Sequence, residues 1–102
     1  MEMTTTMKQF ESGIRSAIIR ANGTIMNPST GMNAPKGRRI PPETVVYPGD
    51  IVLVCGIGNG YPYSVSAYIW EKDGFGEWGF RREPSPIKSR DPRWIEATSN
   101  WA

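Results

Sequence analysis

Apolar residues recur at helical intervals over the first part of the chain. Thr6 and Gln9 have the spacing of a capping box, and Asn22-Gly23 is a stop signal further on. Between them, one side of a helical projection would carry Phe10, Ile14, Ala17, Ile18 and Ala21. This spacing predicts a helix from about Met7 to Ala21, with Ile19 outside its apolar stripe.

Strand patterns begin at Thr44. The segments Thr44 to Tyr47 and Ile51 to Cys55 flank the turn residues Pro48-Gly49-Asp50. Because the second segment is apolar without interruption and rich in β-branched residues, we expect a central strand that is buried on both faces. Two further strands are expected between Val65 and Arg82, on either side of Asp73-Gly74-Phe75-Gly76, and together they predict a β-hairpin.

The turn of this hairpin decides which side chains share a face. A two-residue turn would pair Trp70 with Glu77, and a four-residue loop would pair Lys72 with Glu77. Both loops place the same residues together, because side chains alternate along a strand. One face, interpreted as core, would hold Val65, Ala67, Ile69, Trp78 and Phe80. The other would hold Ser66, Tyr68, Trp70, Lys72, Glu77 and Arg81. This second set is either an outward binding surface or a second small core under Trp94 and Trp101.

The end of the chain predicts a short helix that Asp91 caps, with Pro92 in its first turn and Trp94, Ala97 and Trp101 on one side. Residues 27–42 are dense in proline and glycine and predict a long loop. The expected fold is therefore α+β: an N-terminal helix and a small antiparallel β-meander, closed or nearly closed as an SH3-like or OB-like barrel, with a short C-terminal helix. The alternative is an open sheet with both helices on one face.

Composition limits the size and class of the protein. A chain of 102 residues with 38% hydrophobic and 22% charged residues predicts a single small globular domain over 1–102. Its formal net charge of +2 is too small to indicate a nucleic-acid or membrane partner by itself. The segment Met1 to Met7 has no signal-peptide pattern, and the chain has no apolar run of about 18 residues, so we expect a cytoplasmic protein.

The candidates for catalytic chemistry are few. The chain has no histidine, which is the commonest general base and metal ligand, and its one cysteine, Cys55, ends an apolar run and is expected to be buried and structural. The glycines of Gly56 to Gly60 precede a strand pattern rather than the helix that a dinucleotide site requires. We therefore expect no cofactor, no metal and no enzymatic activity.

The first functional hypothesis is a non-catalytic protein-binding module, a small inhibitor or accessory factor that docks on a larger protein assembly. Large aromatic residues and arginine are enriched at the residues that dominate protein interfaces. The residues of this chain that fit are Tyr68, Trp70, Arg81 and Phe75, together with Arg38 and Arg39 in the long loop.

Two alternatives remain. A small barrel that binds single-stranded nucleic acid would use Arg81, Arg82, Lys88 and Arg90 beside the aromatics, although Glu71, Asp73, Glu77 and Glu83 break up the positive charge. In architecture and length the chain also resembles phage head–tail joining proteins and phage-encoded inhibitors of host machinery, although no motif carries that resemblance. It implies a structural or inhibitory role.

Overall fold

A five-stranded antiparallel sheet is the largest element of the structure, a computed structural model that describes residues 3–13, 15–28, 39–55 and 64–101. The elements are β1 (Thr5–Thr6), a 3-10 helix (Met7–Phe10), β2 (Arg15–Ile19), β3 (Ile25–Met26), β4 (Val45–Val46), β5 (Ile51–Cys55), β6 (Val65–Lys72), β7 (Trp78–Arg81) and α1 (Pro92–Thr98). The strand order is β3-β2-β5-β6-β7, and β1 pairs with β4 in a separate two-stranded sheet.

The predicted N-terminal helix is wrong. Of the described residues in that segment, only Met7–Phe10 is helical, as a single 3-10 turn, and β2 follows and pairs with β5. A helix with one apolar stripe would expose Ile19, yet this side chain is only 1% exposed, because β2 is a central strand with both faces covered. Close approach also disfavours a side chain at Gly13, where an added Cβ would lie 2.8 Å from Val54 Cγ1 and force a shift.

The predicted barrel is also wrong, because β4 leaves the meander. It pairs with β1 instead of β5, so that β3 and β7 form the two edges of an open sheet within the described residues. The alternative prediction is correct in giving an open sheet, but it is wrong in placing both helices on one face. The 3-10 helix packs on the face that contains Ile18, and α1 packs on the opposite face, which contains Ile19.

Three predicted elements are confirmed. The strand β5 is buried along its whole length, including Cys55, and β6 and β7 form the expected hairpin. Asp91 caps α1 by accepting a hydrogen bond from the Arg93 backbone N–H at 2.9 Å. No helix in the described ranges is long and apolar enough to cross a membrane.

The sheet separates two cores, as its burial on both faces requires. The first core consists of Met7, Phe10, Ile18, Ile40, Val46, Val52, Val54 and Trp70. The second core consists of Ala17, Ile19, Ile51, Leu53, Ala67, Ile87 and Ala97, with Trp94 and Trp101 packed against it. The two faces of the sheet are therefore occupied by different parts of the chain, and neither offers its central strands to a partner.

Candidate functional site

The register of the β6–β7 hairpin differs from the predicted one. Trp70 pairs with Phe80 and Lys72 with Trp78, which leaves an odd number of residues between the strands. Both of the loops considered from the sequence were even, and an odd loop moves every side chain of one strand to the other face. The predicted division of faces is therefore wrong: Trp70, Trp78 and Phe80 lie on one face.

The hairpin ends in a hydrogen-bonded turn, residues Asp73–Glu77, which we call the hairpin tip. The Asp73 N–H donates to the Glu77 carbonyl at 2.9 Å, and the Gly76 N–H donates to the Asp73 carbonyl at 3.2 Å. Asp73 Oδ1 also accepts from the backbone N–H groups of Phe75 at 2.7 Å and Glu77 at 2.9 Å. Gly76 has a φ of +84°, in the left-handed region that favours glycine and closes three-residue hairpin loops. Four hydrogen bonds thus hold the tip in one shape.

Phe75 lies at the end of this tip and is 94% exposed. Single exposed apolar side chains are ordinary on protein surfaces, so what distinguishes Phe75 is its position at the end of a hydrogen-bonded turn. Ile95, the next most exposed large hydrophobic residue in the described part of the chain, is 55% exposed. The role of Phe75 as a binding residue stays a prediction, and its position leaves the ring accessible.

The tip projects beyond the body of the sheet. Among the described residues β5 pairs with β6 from Val65 to Ile69, and the next backbone hydrogen bonds to the body are those between Trp70 and the Gly49–Asp50 turn, at 2.8 and 3.1 Å. From Glu71 onward, β6 has only β7 as its partner. The hairpin therefore continues as a two-stranded ribbon that carries Phe75 away from both cores.

Trp70 does not lie on an outward surface, so the first of the two alternatives from the sequence is wrong. It is 8% exposed, its indole N–H donates to the Met3 carbonyl at 2.9 Å, and its ring stacks on Trp78 with centroids 5.9 Å apart. Tyr68 is half-buried on the same face, 5.0 Å from the Phe10 ring. These rings are covered by the N-terminal segment, and not by Trp94 and Trp101 as the sequence alternative had proposed.

The arginines predicted to bind a partner are distributed along the chain. Arg81 forms an ion pair with Glu71 and donates to the Pro84 carbonyl, so its guanidinium is already engaged. Arg39 is exposed and donates to the Glu11 carbonyl at 2.9 Å, while Arg38 lies outside the described residues. The structure does not bring Arg39 to the hairpin tip through any contact it describes.

A second surface feature, which we call the basic groove, follows β7. It has a volume of about 540 Å³ and is lined by Ser85, Ile87, Lys88, Ser89, Arg90 and Trp94. Lys88 and Arg90 form no ion pair with any residue in the described ranges. Arg82, another basic residue predicted to bind nucleic acid, is exposed, and its Nε lies 3.8 Å from Glu83 Oε1.

Next to the groove, Asp91 is bound by the guanidinium of Arg93, with Nη2 2.9 Å from Oδ2. The hydrogen bonds from Arg93 lower the pKa of Asp91 below its ordinary value. Because this carboxylate is already paired, it does not neutralise Lys88 or Arg90.

The described residues contain no group of three or more Asp, Glu, Cys or His side chains able to hold a metal ion, and the glycines of residues 56–60 lie outside them. No protein-family model, curated protein or solved structure matches the chain. Its function is therefore inferred from the chemistry of its own surface.

Proposed function

We propose that the chain is a non-catalytic protein-binding module that docks on a larger protein assembly through the hairpin tip, in the manner of a small inhibitor or accessory factor. The observation that carries this proposal is Phe75, which is 94% exposed at the end of a turn fixed by four hydrogen bonds. A large apolar side chain exposed to water on a hydrogen-bonded projection is suited to insertion into a partner.

The energetics favour this use of Phe75. Full burial of a phenylalanine side chain contributes about 1.5–3 kcal/mol. Binding normally loses part of such a gain to the ordering of loops and side chains, but the backbone of this tip is already ordered. Nearly all of the Phe75 side chain is available for burial, whereas Trp70 and Trp78 are already packed against each other.

Affinity capture from the cells that express the chain tests the proposal. Phe75→Ala removes the exposed ring, and Ile95→Ala is the matched control, because Ile95 is an exposed apolar residue on α1, away from the tip. We expect the wild type and Ile95→Ala to capture the same protein, and Phe75→Ala to bind it at least about 30-fold more weakly, as for a residue that dominates an interface. Equal binding by Phe75→Ala would contradict the proposal.

Single-stranded nucleic acid is a second candidate partner, favoured by the position of Lys88 and Arg90 beside Trp94. It is less well supported, because Arg81 is engaged by Glu71. Salt separates the two candidates. A complex dominated by phosphate contacts loses affinity steeply as salt rises, whereas an interface built on a buried phenylalanine changes much less.

A further inference from the structure

We infer that a second copy of this chain can receive the hairpin tip, with Phe75 of one copy seated in the basic groove of the other. This inference rests on the proposed function of the tip and names its partner. It follows from two complementary features of one chain, an aromatic side chain between acidic residues and an apolar floor between basic residues.

The groove is open to solvent and has an apolar lining suited to contact with an aromatic ring. Its volume is about 540 Å³. Its floor contains Ile87, which is buried in the second core, and the half-buried indole of Trp94. An overlapping depression of about 420 Å³ shares Ser85, Ile87, Lys88 and Arg90 with the groove and adds Pro86, Asp91 and Arg93.

The rim of the groove is positive. Lys88 and Arg90 are exposed and form no ion pair in the described part of the chain, and the nearby carboxylate of Asp91 is bound by Arg93. Two positive charges are therefore left to interact with an incoming group.

The tip carries the opposite charge. Asp73 and Glu77 bracket Phe75 and are joined across the hairpin, because the Asp73 N–H donates to the Glu77 carbonyl and the Glu77 N–H donates to Asp73 Oδ1. Of the neighbouring charged residues, Glu71 is paired with Arg81, and Lys72 lies opposite Trp78. In the described part of the chain Asp73 and Glu77 form no ion pair, although Asp73 Oδ1 accepts two backbone hydrogen bonds, so the tip presents negative charge to the positive rim of the groove.

Contact between two copies is favoured over contact within one copy. The tip precedes β7 and the groove follows it, so the paired strand Trp78–Arg81 separates them. The tip and the groove are different surfaces, so the interface between copies is heterologous. Each copy can insert its tip into one neighbour and bind the tip of another in its own groove.

Sedimentation of purified variants over a range of protein concentrations tests the inference. Phe75→Ala disables the tip, and the double variant Lys88→Glu/Arg90→Glu disables the groove; all three side chains are exposed, so the fold does not depend on them. Ile95→Ala and Lys8→Glu are the matched controls for loss of an exposed apolar group and for reversal of an exposed charge.

We expect the wild type and both controls to self-associate, and each disabled variant to associate at least about 30-fold more weakly. A mixture of the two disabled variants should form a one-to-one complex, because it retains one intact groove and one intact tip. Monomeric wild type at every concentration, or a mixture that does not associate, would overturn the inference.

The same variants separate this inference from the proposed function. If the wild type is monomeric but captures another protein through Phe75, the proposed function stands and the second copy is excluded as partner. If the groove variant instead loses affinity for a single-stranded DNA probe while self-association is absent, the groove is a nucleic-acid site and the inference fails. If Phe75→Ala changes neither capture nor association, both proposals fail.

Discussion

Two turns of this protein use the same chemistry in opposite surroundings. In the turn at Tyr47–Asp50, Gly49 has a φ of +86° and the Asp50 carboxylate accepts the Tyr47 N–H at 2.8 Å. In the hairpin tip, Gly76 has a φ of +84° and the Asp73 carboxylate accepts two backbone N–H groups. Each turn thus combines a glycine in the left-handed region with an aspartate that satisfies backbone donors.

What differs is how far the carboxylate reaches. Asp50 is 1% exposed and also accepts from the Ala21 N–H at 2.9 Å and from Arg20 Nη1 at 2.6 Å. It therefore ties the end of β2 to the β4–β5 turn, whereas the described bonds of Asp73 remain within its own loop. The same turn chemistry therefore links two parts of the sheet at Asp50, whereas at Asp73 it positions the exposed side chain of Phe75.

Trp70 marks the boundary between these regions and should have the largest effect on stability. Its backbone binds the Gly49–Asp50 turn, and its ring lies in the first core against Phe80, with centroids 4.9 Å apart. We expect Trp70→Ala to lower the free energy of unfolding by about 3–5 kcal/mol, measured by urea denaturation, because a buried ring leaves a cavity.

Trp78→Ala is the comparison for that change, because Trp78 is less buried and belongs to the ribbon. It should lower the free energy of unfolding clearly less than Trp70→Ala does. Acrylamide should accordingly quench a variant with Trp78 as its one tryptophan more strongly than a variant with only Trp70. Equal costs and equal quenching would mean that the ribbon is as integral to the fold as the body.

Asp50→Ala should have the next largest effect. Loss of the carboxylate leaves the guanidinium of Arg20, whose side chain is 18% exposed, without its ion-pair partner. Removal of one member of a buried pair costs about 3–5 kcal/mol, and the partial exposure of Arg20 places our expectation at about 3 kcal/mol. The double variant Asp50→Ala/Arg20→Met should recover part of the lost free energy of unfolding, measured by urea denaturation. If it is no more stable than the single variant, the ion pair is not the source of the effect.

Asp73→Ala should cost much less, about 1 kcal/mol, because its two hydrogen bonds to backbone N–H groups are exposed to water and hold only the tip. The change should instead increase hydrogen exchange at the amides of Phe75 and Glu77 and leave exchange in β5 unaltered. A loss of stability as large as that of Asp50→Ala would show that the two turns are equivalent and that the tip is part of the core structure.

The same contrast explains how far the sequence predicted the fold. The strand β5, the hairpin and the cap of α1 depend on local patterns, namely a continuous apolar run, a turn between alternating segments, and Asp-Pro at a helix start. The strand β2 depends on a long-range partner. The spacing of Phe10, Ala17 and Ile18 fits a helix. Pairing with β5 favours a strand instead, because it buries Ile19 as well.

The candidate site was predicted only in part, for a related reason. Asp73-Gly74-Phe75-Gly76 is compatible with loops of different lengths, and the backbone conformation of Gly76 selects the odd one. That choice moves Trp70 into the first core and leaves Phe75 as the exposed ring. The composition of the groove, with Ile87 and Trp94 between Lys88 and Arg90, depends on how the chain after β7 packs, for which the sequence has no periodic signal.

Asp91 extends the comparison to a third aspartate and should have the smallest effect. It accepts the Arg93 N–H as a helix cap, like Asp73 in its turn, but it also binds the Arg93 guanidinium, and these hydrogen bonds lower its pKa. A carboxyl group with a lowered pKa in the folded state stabilises the protein above its unfolded pKa of about 3.9. This contribution is lost as the pH falls through the folded pKa, and it is small because water and salt screen an exposed pair. We expect Arg93→Gln to raise the pKa of Asp91, measured by NMR titration of its carboxyl carbon, while the control Arg90→Gln leaves it nearly unchanged. An unchanged titration in Arg93→Gln would assign the lowered pKa to the helix cap alone, and Asp91 would then resemble Asp73, whose described bonds are all local.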